Sequence, residues 1–369
     1  MKIGIDARTL SVRGGPRTYV DNLIRTLPKI DEKNEYIVFY NKKEFLTKYV
    51  KVKGVIVKPD NISFQIIWDQ ILLPISLKKE KVDLVHNTKS STSIINPCYS
   101  VVTIHDIIPI IYKQTEKFTN YLYWNLQIPL AAKHANKIIT ISESAKKDIV
   151  NYFKIRDDKI SVIYNGVSEK FRIIESKKEL DQIKIRYLLP DKFILYVGTL
   201  QPRKNLPLLI KSYAKLVADK KITHKLLIVG REGWKYSAIF DLIKELHLEK
   251  DIIITGYIQD DDLPSIFNLA DLFVYPSIYE GFGLPPLEAM ACGIPVITSN
   301  TSSLPEVVGN AAIMINPYDV DSLTKAMFEA LTNEGLRKDM IKKGLERSKL
   351  FSWEKTARET LKVYEETMK

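Results

Sequence analysis

Read for its apolar positions, the chain alternates short runs of β-branched, aliphatic and aromatic residues with longer amphipathic stretches. Ile3-Gly4-Ile5, Tyr36-Ile37-Val38-Phe39-Tyr40, Val82-Asp83-Leu84-Val85-His86, Val101-Val102-Thr103-Ile104-His105 and Ile160-Ser161-Val162-Ile163 have the length and composition of buried strands. Between the first two, Tyr19, Val20, Leu23, Ile24 and Leu27 recur at helical spacing, so the pattern predicts a helix ending near Pro28. After a charged, weakly patterned stretch from Ser168 to Leu189, the alternation resumes. Phe193–Val197, Lys225–Val229, Ile252–Ile258, Leu272–Tyr275, Ile294–Thr298 and Ala311–Ile315 read as strands, and Asp321 to about Leu331 as a helix. Strands alternating with helices predict an α/β protein with parallel sheets. The break places one domain over residues 1–168, a linker over 169–189, a second domain over 190–350 and a terminal segment over 351–369.

Composition narrows the class. With 369 residues and 45% hydrophobic side chains, each domain can bury a core of its own. Cys98 and Cys292 stand far apart, which excludes a disulfide framework or a cysteine metal site and fits a reducing compartment, so the expected location is the cytoplasm. No apolar run approaches the ~18 residues of a spanning helix, and Met1-Lys2-Ile3-Gly4-Ile5-Asp6 reads as a strand rather than a leader. The net charge of +11 favours polyanionic partners. Lysines gather at 42, 43, 48, 51, 53 and 58 and again at 78, 79 and 81. They read either as solvated surface or as a peripheral dock on an anionic membrane. Nucleic acid is not expected, since no helix-turn-helix, finger or aromatic-rich binding pattern accompanies the charge.

The chemistry concentrates at turns between strand and helix. Glu280-Gly281-Phe282-Gly283-Leu284-Pro285-Pro286-Leu287-Glu288 follows a strand and opens a helix that Gly293 ends, a position where α/β sheets bind ligands. Its glycines and the helix N-terminus offer amide donors to a phosphate, while Glu288, expected in the first helical turn, suits a neutral diol such as ribose. The spacing alone is equally that of a helix-capping loop with two solvated acids. Arg203 and Lys204 directly follow another strand and can neutralise a diphosphate, or form a solvated turn. Gly14-Gly15-Pro16 makes a glycine turn before the first helix, and His105 ends a strand where catalytic groups of open sheets collect. His86 is a weaker candidate of the same kind. The aromatic stretch Tyr121-Leu122-Tyr123-Trp124 either packs or lines a sugar. Asp260-Asp261-Asp262 precedes a helix start, which makes its acids caps rather than metal ligands.

The Glu280 to Glu288 segment resembles the E-x7-E signature of the retaining GT-B glycosyltransferases, family 4, and other segments match in order along nearly the whole chain. Val197-Gly198-Thr199-Leu200-Gln201-Pro202-Arg203-Lys204-Asn205 resembles the donor-phosphate segment, with Thr199 where many members carry Arg. Gly14-Gly15-Pro16-Arg17-Thr18-Tyr19 resembles the first loop, which faces donor phosphates and acceptor. His105-Asp106-Ile107-Ile108-Pro109 resembles the setting of a histidine that reaches the donor sugar. Arg231-Glu232-Gly233-Trp234 and the strand ending in Tyr257-Ile258 resemble segments bordering the nucleobase, and Phe351–Ala357 resembles the start of a last helix that crosses back onto the first domain.

The resemblance implies two facing Rossmann-like domains with a cleft between them. It implies transfer of a hexosyl group, by weaker similarity mannosyl from GDP-mannose, to a hydroxyl of a glycan or glycolipid, with retention and no metal or other cofactor. The implied catalytic residues are Glu280, His105, Arg203 and Lys204. The implied donor site comprises Gly14, Gly15, Thr199, Arg203, Lys204, Tyr257, Ile258, Glu280, Gly281, Phe282, Gly283, Leu284 and Glu288, with Glu288 on the ribose. A nucleotide-sugar epimerase on the same fold and a non-catalytic sugar-nucleotide or lipid-surface binder are the alternatives.

Overall fold

The computed structural model describes residues 1–12, 14–57, 65–113, 118–219, 222–233 and 237–369. They form two units, Met1–Gly166 with Ser352–Lys369, and Val167–Phe351. Lys58 of the first lysine group and Trp234 lie outside the described residues.

Unit 1 is built on strands β1 (Lys2–Asp6), β2 (Glu35–Tyr40), β3 (Lys53–Ile56), β4 (Leu84–Asn87), β5 (Tyr99–Thr103), β6 (Lys137–Thr140) and β7 (Ile160–Val162). They pair in the order β3-β2-β1-β4-β5-β6-β7, parallel throughout. Strand β3 was not legible as an apolar run, because its residues Lys-Gly-Val-Ile carry little pattern at the edge of the sheet. The helix expected to stop at Pro28 runs from Gly15 to Ile30 and buries Tyr19, Val20, Leu23, Ile24 and Leu27. Pro28 is tolerated because it falls in the last turn, where the ladder is about to end and Asp31 N–H closes it on the Leu27 carbonyl at 3.1 Å. The terminal helix Trp353–Thr367 completes this unit. Trp353, Ala357, Val363 and Tyr364 are buried in one cluster with Ile3, Ile5, Tyr19 and Leu23. Lys48 and Lys53 pair with Asp21 and Glu80, which removes two members of the first lysine group from the unpaired surface charge.

Unit 2 contains β8 (Phe193–Val197), β9 (Lys225–Val229), β10 (Ile252–Gly256), β11 (Leu272–Tyr275), β12 (Val296–Ser299) and β13 (Ile313–Ile315). Their order is β10-β9-β8-β11-β12-β13, again all parallel. The four inner strands β8, β9, β11 and β12 are buried almost throughout, as strands covered on both faces must be, while the edge strands β10 and β13 are only partly buried. The charged stretch from Ser168 to Leu189 is not featureless. It contains helix Lys177–Arg186, started by Ser176, whose Oγ accepts from Glu179 N–H at 3.3 Å, and this helix packs on helix Leu263–Leu269.

The capping role expected for the Asp260–Asp262 acids is not what Asp262 does. Its carboxylate makes no cap bond and instead takes Arg186 Nη1 at 2.9 Å and Tyr187 OH at 2.6 Å. A charged, bidentate partner outcompetes a backbone amide for the same oxygens.

Gly166 stands where the terminal helix begins. A Cβ built on it would lie 2.2 Å from the Trp353 backbone nitrogen. Gly166→Ala is therefore expected to lift the start of the terminal helix off unit 1, destabilising the protein by about 1–3 kcal/mol, the usual range for overpacking. Thermal melting together with limited proteolysis near Ser352 checks this, and an unchanged melting temperature would contradict it.

Candidate active site

In unit 2 the strand order reverses between β8 and β11, so the loops leaving these neighbours diverge to opposite sides and leave a crevice at the carboxyl edge. The loop after β8 carries Thr199 to Asn205, and the loop after β11 carries Ser277 to Gly283. They are tied to each other through the backbone. Ile278 N–H donates to the Arg203 carbonyl at 2.9 Å, and Arg203 Nη1 donates to the Tyr279 carbonyl at 2.6 Å.

Glu280 lies at the centre. Its carboxylate is 8% exposed and one oxygen, Oε1, receives Lys204 Nζ at 2.6 Å, Ser277 Oγ at 2.6 Å, Arg203 Nη1 at 2.9 Å and Tyr275 OH at 3.0 Å. Lys204 Nζ also donates to Tyr275 OH, so the phenol passes one hydrogen bond on to the carboxylate. Burial alone would push this carboxyl up. The Arg203 and Lys204 charges and the bonds from Lys204 and Ser277 outweigh burial and pull it down to about 2. Of the two readings open for Glu280 and for Arg203-Lys204, the solvated turn is set aside, for Lys204 is as buried as the acid it meets.

Beyond Glu280 the loop is held from behind. Ser303 Oγ donates to the carbonyls of Glu280 and Phe282 at 2.9 and 2.6 Å, and Glu280 N–H donates to Ser302 Oγ at 2.9 Å. Phe282 turns its ring inward onto Phe351, with centroids 5.9 Å apart, so at this position only the backbone can serve a ligand. Gly283 has φ +125°, a conformation that L side chains rarely adopt, and it starts the helix Leu284–Ala291. Pro285 and Pro286 sit in the first turn, where amide donors would have no helical partner.

Glu288 lies in the second turn of that helix rather than the first, because the helix begins at Leu284. Among the described residues its carboxyl makes no hydrogen bond or ion pair. Burial raises it to about 7, with the Lys170 charge opposing and the Asp260 charge adding to the shift. A carboxyl in this condition gains from any ligand that brings two hydroxyl donors. Tyr257 is partly exposed after β10 and donates to Asp260 at 3.1 Å, whereas the Ile258 side chain is buried. Thr199 follows β8, half-buried on the same edge.

Gly14, Gly15 and His105 belong to unit 1. Gly14 has φ +131° and caps the helix Gly15–Ile30, and no atom of the described residues beyond the chain neighbours lies within 4 Å of a Cβ built on either glycine. His105 follows β5, with Nε2 3.1 Å from the Thr88 carbonyl. A carbonyl only accepts, so Nε2 carries the proton and Nδ1 is left as the acceptor. Burial pushes this imidazole down to about 4, with the Thr88 bond opposing, so it is neutral at physiological pH. The Tyr19 ring packs edge-on against it at 5.1 Å. His86 is a satisfied core histidine. Its nitrogens meet Tyr364 OH at 2.6 Å and Thr103 Oγ1 at 2.7 Å.

The structure thus brings Arg203, Lys204, Glu280 and the 281–284 loop together, with Glu288 on the helix that follows. It adds Tyr275, Ser277, Ser302 and Ser303, which the sequence reading did not single out. Tyr275 read as one more core aromatic of a strand, and only the parallel pairing of β8 with β11 reveals that its hydroxyl reaches Lys204.

Both halves of the chain match known protein families. Residues 13–171 match Glycosyltransferase Family 4 and residues 178–347 match Glycosyl transferases group 1. O-antigen chain mannosyltransferase B of Escherichia coli is 34% identical over 266 residues, covering 72% of this chain and 70% of that protein. The serotype-specific mannosyltransferase WbdA of Escherichia coli is 36% identical over 267 residues, which is 71% of this chain but 32% of WbdA, so the chain spans about a third of that relative. Among solved structures, sucrose-phosphate synthase from Thermosynechococcus elongatus superposes with a TM-score of 0.79 at 20% identity, over 99% of this chain and 98% of that one. HepE from Anabaena in complex with UDP-glucose gives 0.78 at 17%, over 99% and 100%. The fold is that of the GT-B class. The chain belongs to the family 4 glycosyltransferases, with a group 1 domain in its second half.

The two carboxylates are expected to respond in opposite ways to neutralisation. Glu280→Gln leaves Arg203 and Lys204 buried without their counter-charge and should cost about 3–5 kcal/mol near neutral pH. The depressed Glu280 carboxyl stabilises the fold above its ordinary value of 4.5, and this contribution fades as pH falls toward about 2. Glu288 has the reverse sign, since its raised carboxyl favours the fold below 4.5 and loses that contribution as pH rises through about 7. Glu288→Gln should therefore stabilise the free protein at pH 8.5, by on the order of 1–2 kcal/mol after allowance for screening, and change little at pH 5. Thermal melts of both variants at the two pH values check this, and a destabilised Glu288→Gln at pH 8.5 would contradict it.

Proposed function

We propose that this protein transfers a hexosyl group, mannosyl from GDP-mannose, to a hydroxyl of a glycan or lipid-linked acceptor, with retention at the anomeric carbon and without a metal ion. The observation that carries this reading is the pairing of Arg203 and Lys204 with Glu280 beside a pinned loop at the start of helix Leu284–Ala291. Two fixed cations and the amides of a loop whose carbonyls are held by Ser303 provide positive potential for a diphosphate, and more for the charge that grows on it as the glycosidic bond breaks. That is the task a divalent ion performs elsewhere. The donor's diphosphate and Glu280 draw on the same two cations. Donor binding therefore shifts Arg203 and Lys204 from full pairing with the acid toward the phosphates, and leaves Glu280 to meet the hexose.

Glu288, otherwise without hydrogen-bond partners among the described residues, holds the ribose diol. His105 offers a neutral ring with an acceptor nitrogen to a sugar hydroxyl. No side chain takes the role of covalent nucleophile in this reading. Retention follows from substitution on the face the diphosphate leaves, assisted by the leaving group. Relatives named as mannosyltransferases support the hexose, and the O-antigen chain in the name of one of them supports a glycan or lipid-linked acceptor. The lysine groups of unit 1 support the reading of peripheral contact with anionic lipid at the inner face of a membrane.

The test is a transfer assay in EDTA with GDP-mannose and a lipid-linked glycan acceptor. Product should form, with the anomeric configuration retained by NMR, and donor incubated alone should return as GDP-mannose, at most slowly hydrolysed, rather than as an epimer. Loss of turnover in EDTA that Mg²⁺ restores would overturn metal independence, and conversion of the donor to another sugar nucleotide would overturn transfer. Within this assay Glu288→Gln should chiefly raise the donor KM, since ribose changes little as the bond breaks. Glu280→Gln should chiefly lower kcat, since positive charge grows on the hexose. Each loss is expected at about ten- to a hundredfold, the worth of a charged hydrogen bond. A kcat loss at Glu288 with none at Glu280 would reverse the assignment.

A further inference from the structure

The helical segment Gln65–Glu80 of unit 1 turns isoleucines outward. Its inner side is Trp68, Asp69, Leu73 and Leu77, all buried, and its outer side carries Ile66, Ile67, Ile71 and Ile75, with Ile71 51% and Ile75 61% exposed. Four-residue steps lead from Ile67 to Ile71, to Ile75 and to Lys79, so the outward stripe ends in lysine, with Lys78 and Lys81 exposed beside it.

Two other segments join this side of the unit. Ile94 and Ile95, the latter 83% exposed, follow β4 and are fastened by Gln70, which accepts from Ile94 N–H at 3.0 Å and donates to the Thr92 carbonyl at 3.1 Å. Helix Phe118–His134 exposes Phe118, Leu122 and Leu126, again at four-residue steps. Tyr123 OH donates to Asp69 at 3.3 Å, and Lys89 bridges the helices, with Nζ donating to Gln65 at 2.9 Å and lying 5.7 Å from the Trp124 ring. Scattered exposed aliphatics are ordinary, but aliphatic side chains gathered on mutually fastened segments mark an interaction surface.

We propose that this face seats on an anionic lipid bilayer, with the outward isoleucines and Phe118 entering the headgroup boundary and Lys78, Lys79 and Lys81 against the lipid phosphates. The inference rests on the reading above that the protein touches an anionic membrane, and it assigns the surface that does so. Charge selects the occupant. The acids of the two helices, Asp69 and Glu80, are taken up by Arg8 and Lys53, so the charges left unpaired on the stripe are positive. A second copy of a chain with net charge +11 would bring lysine to lysine, whereas anionic headgroups complement both the lysines and the apolar stripe. Among the described residues no helix is long and apolar enough to cross a membrane, so the contact is interfacial.

Sedimentation of the full chain with phosphatidylcholine vesicles, with and without phosphatidylglycerol, tests this without donor or acceptor, so its result stands apart from that of the transfer assay. The wild type should pellet with the anionic vesicles, and less so as salt rises. Ile71→Glu/Ile75→Glu and Lys78→Glu/Lys79→Glu should each reduce partitioning about tenfold or more with the melting temperature held. Ile185→Glu, at an exposed isoleucine of unit 2, should pellet as the wild type. A wild type that stays in solution with both vesicles, or stripe variants that pellet like it, would overturn the proposal. So would a dimer that Ile71→Glu/Ile75→Glu converts to monomer without vesicle binding, since the face would then be an interface between copies.

Discussion

A carboxylate and two cations withdrawn from water hold the second unit's site in shape. Charges so buried are costly to desolvate, and the cost is offset only when geometry and hydrogen bonding are close to complete. Glu280 meets that condition through Arg203, Lys204, Ser277 and Tyr275 converging on one oxygen. Because these partners come from β11 and from the loops that follow β8 and β11, the charge group sets the spacing of the two loops as much as the loops set the charges. The bond from Ile278 N–H to the Arg203 carbonyl and that from the Arg203 guanidinium to the Tyr279 carbonyl make the same connection a second time.

That constraint extends outward. With Glu280 fixed, its amide sits on Ser302, its carbonyl and that of Phe282 sit on Ser303, and the chain enters helix Leu284–Ala291 through Gly283 at a positive φ. The helix in turn carries Glu288, whose carboxyl stands opposite in character to Glu280. One is saturated with donors and held ionised, while the other has none among the described residues and is held near neutrality. Two acids on one short segment thereby stand in opposite electrostatic conditions, which fits the different roles proposed for them.

Much of this was legible in the sequence because parallel strands covered on both faces are uniformly apolar. The runs Phe193–Val197 and Leu272–Tyr275 announce themselves, and the residues directly after them are then at the ligand edge by topology. Strand β3 did not announce itself because an edge strand of Lys-Gly-Val-Ile has no such pattern. The helix in the charged stretch was hidden because it buries only Ile183. Whether Glu280 and Lys204 are solvated was left open by the sequence for a different reason. Side-chain type says that Glu and Lys belong outside, and only the pairing of β8 with β11 puts them where they neutralise each other. Asp262 misled in the same way, since its partner Arg186 lies 76 residues away.

The measurement that bears most directly on this account is a double-mutant cycle on GDP-mannose affinity, by titration calorimetry in EDTA, with Lys204→Met and Glu280→Gln alone and together. If acid and cation form one donor-binding unit, the affinity lost with Lys204→Met will depend on whether the Glu280 charge is present, and the coupling will exceed the ~0.5 kcal/mol within which independent sites are additive. Additive effects, or affinity untouched by Lys204→Met in folded protein, would show that the Glu280 charge group is scaffolding and that the donor is held elsewhere.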